Sequence, residues 1–326
     1  MTAAVTDDRS APTDGPVVAV LGLGAMGLPM TARLAGAHTV RAFDPVLERR
    51  ELAEAAGAGT ASTPGAAAAG ADVVVVAVRD AGQTRQALLG DGSDAAGGAA
   101  GSGGAAGSGG AAGAMAPGGT VVLTSTIGRD AVVQLAAELA GLGIAVVDAP
   151  VSGGAVRAEA GDLLIMVGAP DEAYGRTAAV LHRLGSSVFR AGSRVGDGQV
   201  LKTVNQLLCG VHTAAAAEAL ALAARLGLDL DRTVEVLGSG AASSFMLADR
   251  GPRMAAQLQS GSPPLRSRMD IIDKDMGLVA ELARSVGVPV PVAAAAGQLW
   301  ATAMANGLSA DDDSALVRLL LPSGPN

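Results

Sequence analysis

The chain has 326 residues, enough to bury a large core and form two domains, with a formal charge of −8 and only 2% aromatic residues. That balance excludes a nucleic-acid surface, which needs basic stripes and stacking rings. One cysteine, Cys209, excludes an internal disulfide framework and suits a reducing compartment, and the scattered His38, His182 and His212 include no pair at metal-ligand spacing, so no metal is expected.

Residues 1–15 are polar, lack a basic segment followed by an apolar core, and read as a disordered tail and not as a signal peptide. No uninterrupted apolar run of membrane-spanning length is read, so the expectation is a cytoplasmic protein with no membrane partner. The first ordered stretch is an apolar run, Val17 to Leu21, leading into Gly22-Leu23-Gly24-Ala25-Met26-Gly27 and then a helical pattern from Leu28 to Leu34. Strand, Gly-x-Gly-x-x-Gly turn and helix in that order suit a dinucleotide pyrophosphate. Gly22 permits the turn, Gly24 lets backbone approach a ligand, and Gly27 allows close helix–strand packing, while N–H groups at the helix start meet phosphate charge. A second strand, Thr39 to Phe43, ends in Asp44, about 20 residues after the first glycine, where an acid that binds ribose hydroxyls belongs. Such an acid repels a 2′-phosphate, so NAD is expected over NADP, with Arg49 and Arg50 close enough to soften the preference.

A helical stretch to Ala56 precedes an apolar strand over 72–78, of the kind buried on both faces, and Val78 and Arg79 fall at its carboxyl end, where ligands bind in such sheets. After a helix from Gln83 to Leu89, residues 90–118 are dominated by Gly, Ala and Ser and read as a flexible insertion. The pattern resumes with strand 120–123, which is closed by Thr124-Ser125-Thr126, and continues with helix 130–140 and strand 144–148. Ser152-Gly153-Gly154 follows as a turn with a hydroxyl and bare N–H groups, the fittings of a carboxylate cradle. Strand 163–167, helix 171–184 and strand 187–190 complete a doubly wound α/β sheet.

From Gly196 the pattern is helical throughout: a long apolar helix over 197–226, then helices at 230–238, 243–257, 269–286, 291–306 and 313–321. The expected domains are therefore a dinucleotide-binding domain, 1–192, and an all-α domain, 193–326, joined by the long helix. A helix apolar on all sides is buried on all sides, here by the first domain and a second subunit, so a homodimer or homotetramer through the helical domain is expected.

Of the 23 basic residues only Lys202 and Lys274 are lysines. A compact ammonium that can lose its proton does what guanidinium cannot. Lys202 lies in the first turns of the long helix, with Asn205 and Gln206 at i+3 and i+4 on its face and Cys209 beyond. A lysine with two amides beside a dinucleotide domain suits hydride transfer, in which the hydroxyl being oxidised must give up a proton. Asp273-Lys274-Asp275 admits equally a solvated ion-pair cluster.

Four motifs in order resemble the β-hydroxyacid dehydrogenase family, which includes the 3-hydroxyisobutyrate and L-threonate dehydrogenases: residues 22–30, Asp148-Ala149-Pro150-Val151-Ser152-Gly153-Gly154, Gly196 to Lys202, and Lys274-Asp275. The resemblance implies a Rossmann-type first domain, a small hydroxy-carboxylate substrate oxidised reversibly to the aldehyde or ketone, and Lys202 as general acid/base. It also implies substrate contacts at Ser152, Gly153, Gly154, Asn205 and Gln206. Cofactor contacts would be Gly22, Leu23, Gly24, Ala25, Met26, Gly27, Asp44, Val78, Arg79, Thr126 and Lys274, the last beside the nicotinamide. The family's usual asparagine four residues after the lysine is Gln206 here, and Asn205-Gln206-Leu207-Leu208 with Asp311 to Ala315 resembles the L-threonate dehydrogenase branch. Imine reduction, or dinucleotide binding without catalysis, on the same scaffold are the competing readings. Imine-reducing relatives generally lack the lysine, and a mere binder needs neither Lys202 nor the Ser-Gly-Gly cradle.

Overall fold

A computed structural model describes residues 15–90, 109–261 and 263–321, so the expected N-terminal tail lies almost wholly outside the described residues. The chain divides into two compact units, Met1–Gly198 and Gln199–Asn326. The division falls after Gly198 because that glycine is packed into the first unit. A Cβ there would stand 2.5 Å from the Met166 carbonyl oxygen and 2.9 Å from that of Asp148.

The first unit alternates strands and helices: β1 (Val18–Leu21), α1 (Gly27–Ala35), β2 (Val40–Phe43), α2 (Leu47–Ala55), β3 (Gly59–Thr60), α3 (Pro64–Ala68), β4 (Val73–Val76) and α4 (Ala81–Leu89). It continues with β5 (Thr120–Leu123), α5 (Arg129–Ala140), β6 (Ala145–Asp148), β7 (Val151–Ser152), α6 (Gly154–Ala160), β8 (Leu164–Gly168), α7 (Asp171–Leu184) and β9 (Ser187–Gly192). The sheet runs β3-β2-β1-β4-β5-β6-β8-β7, with β9 beside β8. It is parallel from β3 to β6, whereas β8 is antiparallel to β6 and β7. Strand order reverses direction between β1 and β4, the place where such sheets open a crevice at their carboxyl ends.

Alternate residues of the central strands feed two cores. Val18, Val20, Val73, Val75 and Val122 pack with Met30, Leu34, Val180 and Leu181 on one face. Ala19, Leu21, Val74, Val76 and Val121 pack with Leu88, Val132 and Leu135 on the other. Burial on both faces is why these strands read as unbroken apolar runs.

The insertion expected over 90–118 needs correction. Residues 91–108 lie outside the described residues, but from Gly109 the chain is built into the core, with a 3-10 helix at Ala111–Ala114 whose Ala111 is fully buried against α3 and α4. The small residues serve close backbone approach: a Cβ on Gly110 would sit 2.3 Å from the Leu88 carbonyl oxygen, and one on Gly65 would sit 2.9 Å from that of Gly109. Glycine here marks contact and not freedom.

The second unit is helical: α8 (Asp197–Arg225, starting at the end of the first unit), α9 (Leu230–Gly238), α10 (Phe245–Gln259), α11 (Met269–Ser285) and α12 (Pro291–Ala305). The last expected helix is instead a 3-10 helix, Asp313–Leu320, its start capped by the Asp312 carboxylate accepting from Ser314 N at 3.1 Å. Trp300, fully buried, joins Met254, Met269, Ile272 and Leu220 in the core, and its indole N–H donates to the Gly210 carbonyl at 3.3 Å. A Cβ on Gly210 would meet Met276 Sδ at 2.2 Å, so this glycine lets α11 lie close against α8.

Contrary to the sequence reading, α8 is long and apolar enough, by length and composition, to span a membrane. Half of its most apolar stretch is buried inside the protein, which fits the core helix of a soluble protein. Nor is it buried all round within one chain: Leu201, Val204, Leu208 and Leu222 are exposed.

A buried ion network fastens the end of the chain. Arg253 pairs with Asp312, and with Asp249 at 2.9 Å; Arg250 grips Asp313 at 2.9 and 3.1 Å. Burial pushes the Asp312 carboxyl up, but the Ser314 hydroxyl, the Arg266 N–H and the Arg253 guanidinium outweigh it and hold the pKa below the usual value. A depressed folded pKa contributes stability above the unfolded value, and that stability is lost as pH falls through the folded one. Asp312→Ala, which strips Arg253 of its main partner, should cost about 3 kcal/mol, whereas Glu172→Ala, which breaks an exposed pair on α7, should cost under about 1. Urea melts of the two variants check this.

Candidate functional site

The site residues expected from the sequence fall into two groups, one in each unit. In the first unit the turn between β1 and α1 is tied to its surroundings. Gly22 has φ +93°, and a Cβ on it would meet the Ala77 carbonyl oxygen at 2.8 Å and Val78 Cγ1 at 2.9 Å. On Gly27 a Cβ would lie 1.8 Å from the Gly22 carbonyl oxygen. The fold itself therefore demands these two glycines. Gly24 differs: nothing stands within 4 Å of the Cβ position, so the protein's own packing gives no reason for glycine there. No side chain caps the start of α1.

Asp44, 3% exposed, closes this group from the end of β2. Its carboxylate accepts from Leu23 N at 2.8 Å and from Val46 N at 2.9 Å, and Arg49 Nη1 lies 3.4 Å away. The Ser125 hydroxyl donates to the Val78 carbonyl at 2.7 Å, joining the loops after β4 and β5. Thus Leu23, Asp44 and Val78 meet around one turn, with Ala25 and Arg79 exposed and Met26 and Thr126 half-buried nearby in sequence. Ser152 and Gly153 are half-buried and Gly154 exposed, with φ of +137° at Gly153 and +71° at Gly154. Gly196 N donates to Asp148 Oδ2 at 3.1 Å, which fixes the turn into α8 and gives Asp148 a structural place in its motif.

In the second unit Lys202, 6% exposed, donates from Nζ to Gln206 Oε1 at 2.7 Å. Asn205 Nδ2 donates to the same oxygen at 2.9 Å and to Cys209 Sγ at 3.4 Å. The far end of the glutamine, Nε2, donates to Asp275 Oδ2 at 2.5 Å, and Asp275 Oδ1 lies 2.8 Å from Lys274 Nζ. The two lysines, Asn205 and Gln206 thus share one network, joined by a residue that sequence reasoning left without a role. The signal for Asp275 was its place beside one of only two lysines. Burial pushes the Lys202 ammonium below the ordinary lysine value; Asp275 and Cys209 pull it back up, and Lys274 pushes it further down. Burial likewise raises the Cys209 thiol.

The sequence matches two family models: residues 17–192 match the NAD-binding domain of 6-phosphogluconate dehydrogenase, and residues 196–320 match the NAD-binding domain of NADP-dependent 3-hydroxyisobutyrate dehydrogenase. L-threonate dehydrogenase of Cupriavidus necator is 38% identical over 93% of this chain and 95% of its own length. The chain belongs to the β-hydroxyacid dehydrogenase family. Another relative, 2-(hydroxymethyl)glutarate dehydrogenase of Eubacterium barkeri, is 32% identical over 93% of this chain and 94% of its own length. The crystal structure of 3-hydroxyisobutyrate dehydrogenase from Salmonella typhimurium superimposes with a TM-score of 0.81 at 34% identity, covering 93% of this chain and 99% of that one.

As a β-hydroxyacid dehydrogenase the protein is an oxidoreductase that acts on a hydroxyl group with a nicotinamide dinucleotide. The residues fit that cofactor on their own terms. Gly24 leaves open the space that a side chain would fill, the start of α1 is uncapped, and Asp44 presents an anchored carboxylate beside them.

Proposed function

We propose that the protein oxidises a small β-hydroxyacid, with L-threonate the first candidate, using NAD in preference to NADP and Lys202 as general acid/base. The observation that carries this reading is a buried lysine, disfavoured as an ammonium by its surroundings and held in one orientation by Gln206. A bound nicotinamide would supply the acceptor for the hydride that leaves the substrate carbon. Lys202 Nζ takes the proton from the oxygen of the same carbinol, so the C–H and O–H bonds are both replaced by one C=O bond. In the reverse direction Nζ returns that proton. Ser152, Gly153 and Gly154 supply donors for the substrate carboxylate, and Asn205 offers its half-buried amide to a substrate hydroxyl. Gln206 is taken up with holding Lys202.

Gly22 to Gly27 would hold the pyrophosphate, Asp44 the adenosine ribose, and Val78, Arg79, Thr126 and Lys274 the remainder of the cofactor. A hydroxyacid panel read by reduced-nicotinamide absorbance tests the reading: L-threonate, D-glycerate, 3-hydroxyisobutyrate, 3-hydroxypropionate and L-serine, each with NAD and NADP. Turnover of L-threonate with NAD is the expected result. Silence on all five acids in a protein that binds NAD would remove the proposed substrate class.

Asp44 carries the cofactor preference. Asp44→Ser should lower kcat/KM for NAD about 10–100-fold, the worth of lost charged hydrogen bonds, and raise the NADP/NAD ratio. Arg49, no longer drawn to the carboxylate, is then available to a 2′-phosphate. An unchanged ratio would refute the assignment.

A second copy of the chain also belongs to this reading, packed on the exposed stripe of α8. Leu201, Leu208 and Leu222 recur at multiples of seven, with Val204 between them. Cytoplasmic location rests on the single cysteine, which is buried and unpaired.

A further inference from the structure

We propose that Asp275 is a positioning residue for the reaction, acting on Lys202 through Gln206: a buried carboxylate that does not touch the lysine nitrogen fixes where that nitrogen points. The inference rests on the reading of Lys202 as the acid/base, and it adds the device that orients it.

The chain of contacts has one consistent sense. As an ammonium Lys202 Nζ can only donate, as Asn205 Nδ2 does in any state, and both meet Gln206 Oε1 at 2.7 and 2.9 Å. The carboxylate of Asp275, 3% exposed, can only accept, and it meets Gln206 Nε2 at 2.5 Å. Reversed, the amide would turn its NH₂ toward an ammonium and its oxygen toward a carboxylate. Gln206 is therefore locked in one of its two orientations, from α11, by a residue 69 positions away in sequence. The close packing of α11 on α8 at Gly210, one turn beyond Gln206, makes that reach possible.

A neutral amide between the charges matters. A carboxylate in direct contact with Lys202 would stabilise the ammonium and remove it as a base at neutral pH. With Gln206 between them, and with Asp275 Oδ1 engaged by Lys274 at 2.8 Å, orientation is kept while the pull on the proton is weakened. The charged and titratable groups that act on Lys202 are Asp275 and Lys274 from α11 and Cys209 from its own helix, with Arg250 of α10 acting on Cys209. Asparagine at 206 is one methylene shorter and would have to give up one end of this bridge.

The composition supplies a direct test. With only two lysines in the chain, protein labelled with [ε-¹³C]lysine gives two lysine signals, and Lys274→Met leaves only that of Lys202. The Lys202 signal is titrated in the wild-type, Asp275→Asn, Gln206→Leu and Lys274→Met proteins, with thermal midpoints measured alongside. Removing the anion should lower the Lys202 titration midpoint, by about one unit for a charge acting at second hand. Removing the Lys274 cation should raise it. Gln206→Leu should broaden or split the Lys202 signal, because the nitrogen loses its fixed acceptor.

The low-pH limb of kcat for oxidation should follow the titration, with KM little changed. Titrations of Lys202 that superimpose in the wild-type and Asp275→Asn proteins would overturn the inference, as would shifts of the same sign for Asp275→Asn and Lys274→Met. If Asp275→Asn fails to fold, a sharp, unshifted signal in Gln206→Leu does so instead. Failure of the underlying reading is separate: it would be seen as full activity in Lys202→Ala, whatever the lysine signals show.

Discussion

Replacing Lys202 by alanine should reduce kcat for hydroxyacid oxidation by roughly 10²–10⁴-fold, the contribution of a placed general base. Dinucleotide binding, which the proposal assigns to the Gly22–Gly27 turn and Asp44, should survive. Stability should hold or rise, because a buried amine without a direct counter-ion is removed and Gln206 Oε1 keeps Asn205 as a donor. Lys202→Arg is the sharper variant. Guanidinium keeps the charge and the donors but cannot release its proton, so a loss equal to that of alanine identifies proton transfer, not charge, as the function.

The pH dependence has a defined sign. Oxidation requires the neutral amine and rises with pH through the depressed pKa of Lys202, while reduction requires the ammonium and falls over the same range. Rates that move in the same direction for the two reactions, or a Lys202→Arg enzyme as fast as wild type, would exclude the lysine as the proton carrier.

Much of this was legible from local chemistry. The strands β1 and β4 announce themselves because both faces are buried and every residue is apolar. The face of α8 that carries Lys202, Asn205, Gln206 and Cys209 is visible from helical spacing alone, and the structure joins those four side chains by hydrogen bonds. What escaped depends on contacts distant in sequence. The short helix α3 and the 3-10 helix at Ala111–Ala114 have no apolar period, and their place in the core comes from backbone approach at Gly65 and Gly110. Composition alone makes such a segment look like a linker. Helix α6, starting at Gly154, is hidden because two glycines with positive φ precede its body. Asp275 could be singled out only as a neighbour of Lys274, since its partner Gln206 is on another helix.

The Gly-x-Gly-x-x-Gly turn holds the second large effect, and it divides between glycines the fold needs and a glycine the ligand needs. Gly27→Ala should cost about 3 kcal/mol or more: the new Cβ would lie 1.8 Å from the Gly22 carbonyl oxygen, a backbone atom that cannot move aside without separating α1 from β1. Gly24→Val should leave the unfolding free energy from urea melts within about 0.5 kcal/mol of wild type, since no atom lies within 4 Å of its Cβ position. Yet the isopropyl group would occupy the space through which a pyrophosphate reaches the backbone, and NAD affinity should fall at least about tenfold, or 1.4 kcal/mol. The two variants thus exchange phenotypes, one unstable and the other stable but deaf to cofactor. Isothermal titration with NAD alongside urea melts reads both at once. A Gly24→Val protein that binds NAD as tightly as wild type would place the pyrophosphate elsewhere, and a fully stable Gly27→Ala protein would mean that α1 does not lean on the turn as closely as its 1.8 Å clearance requires.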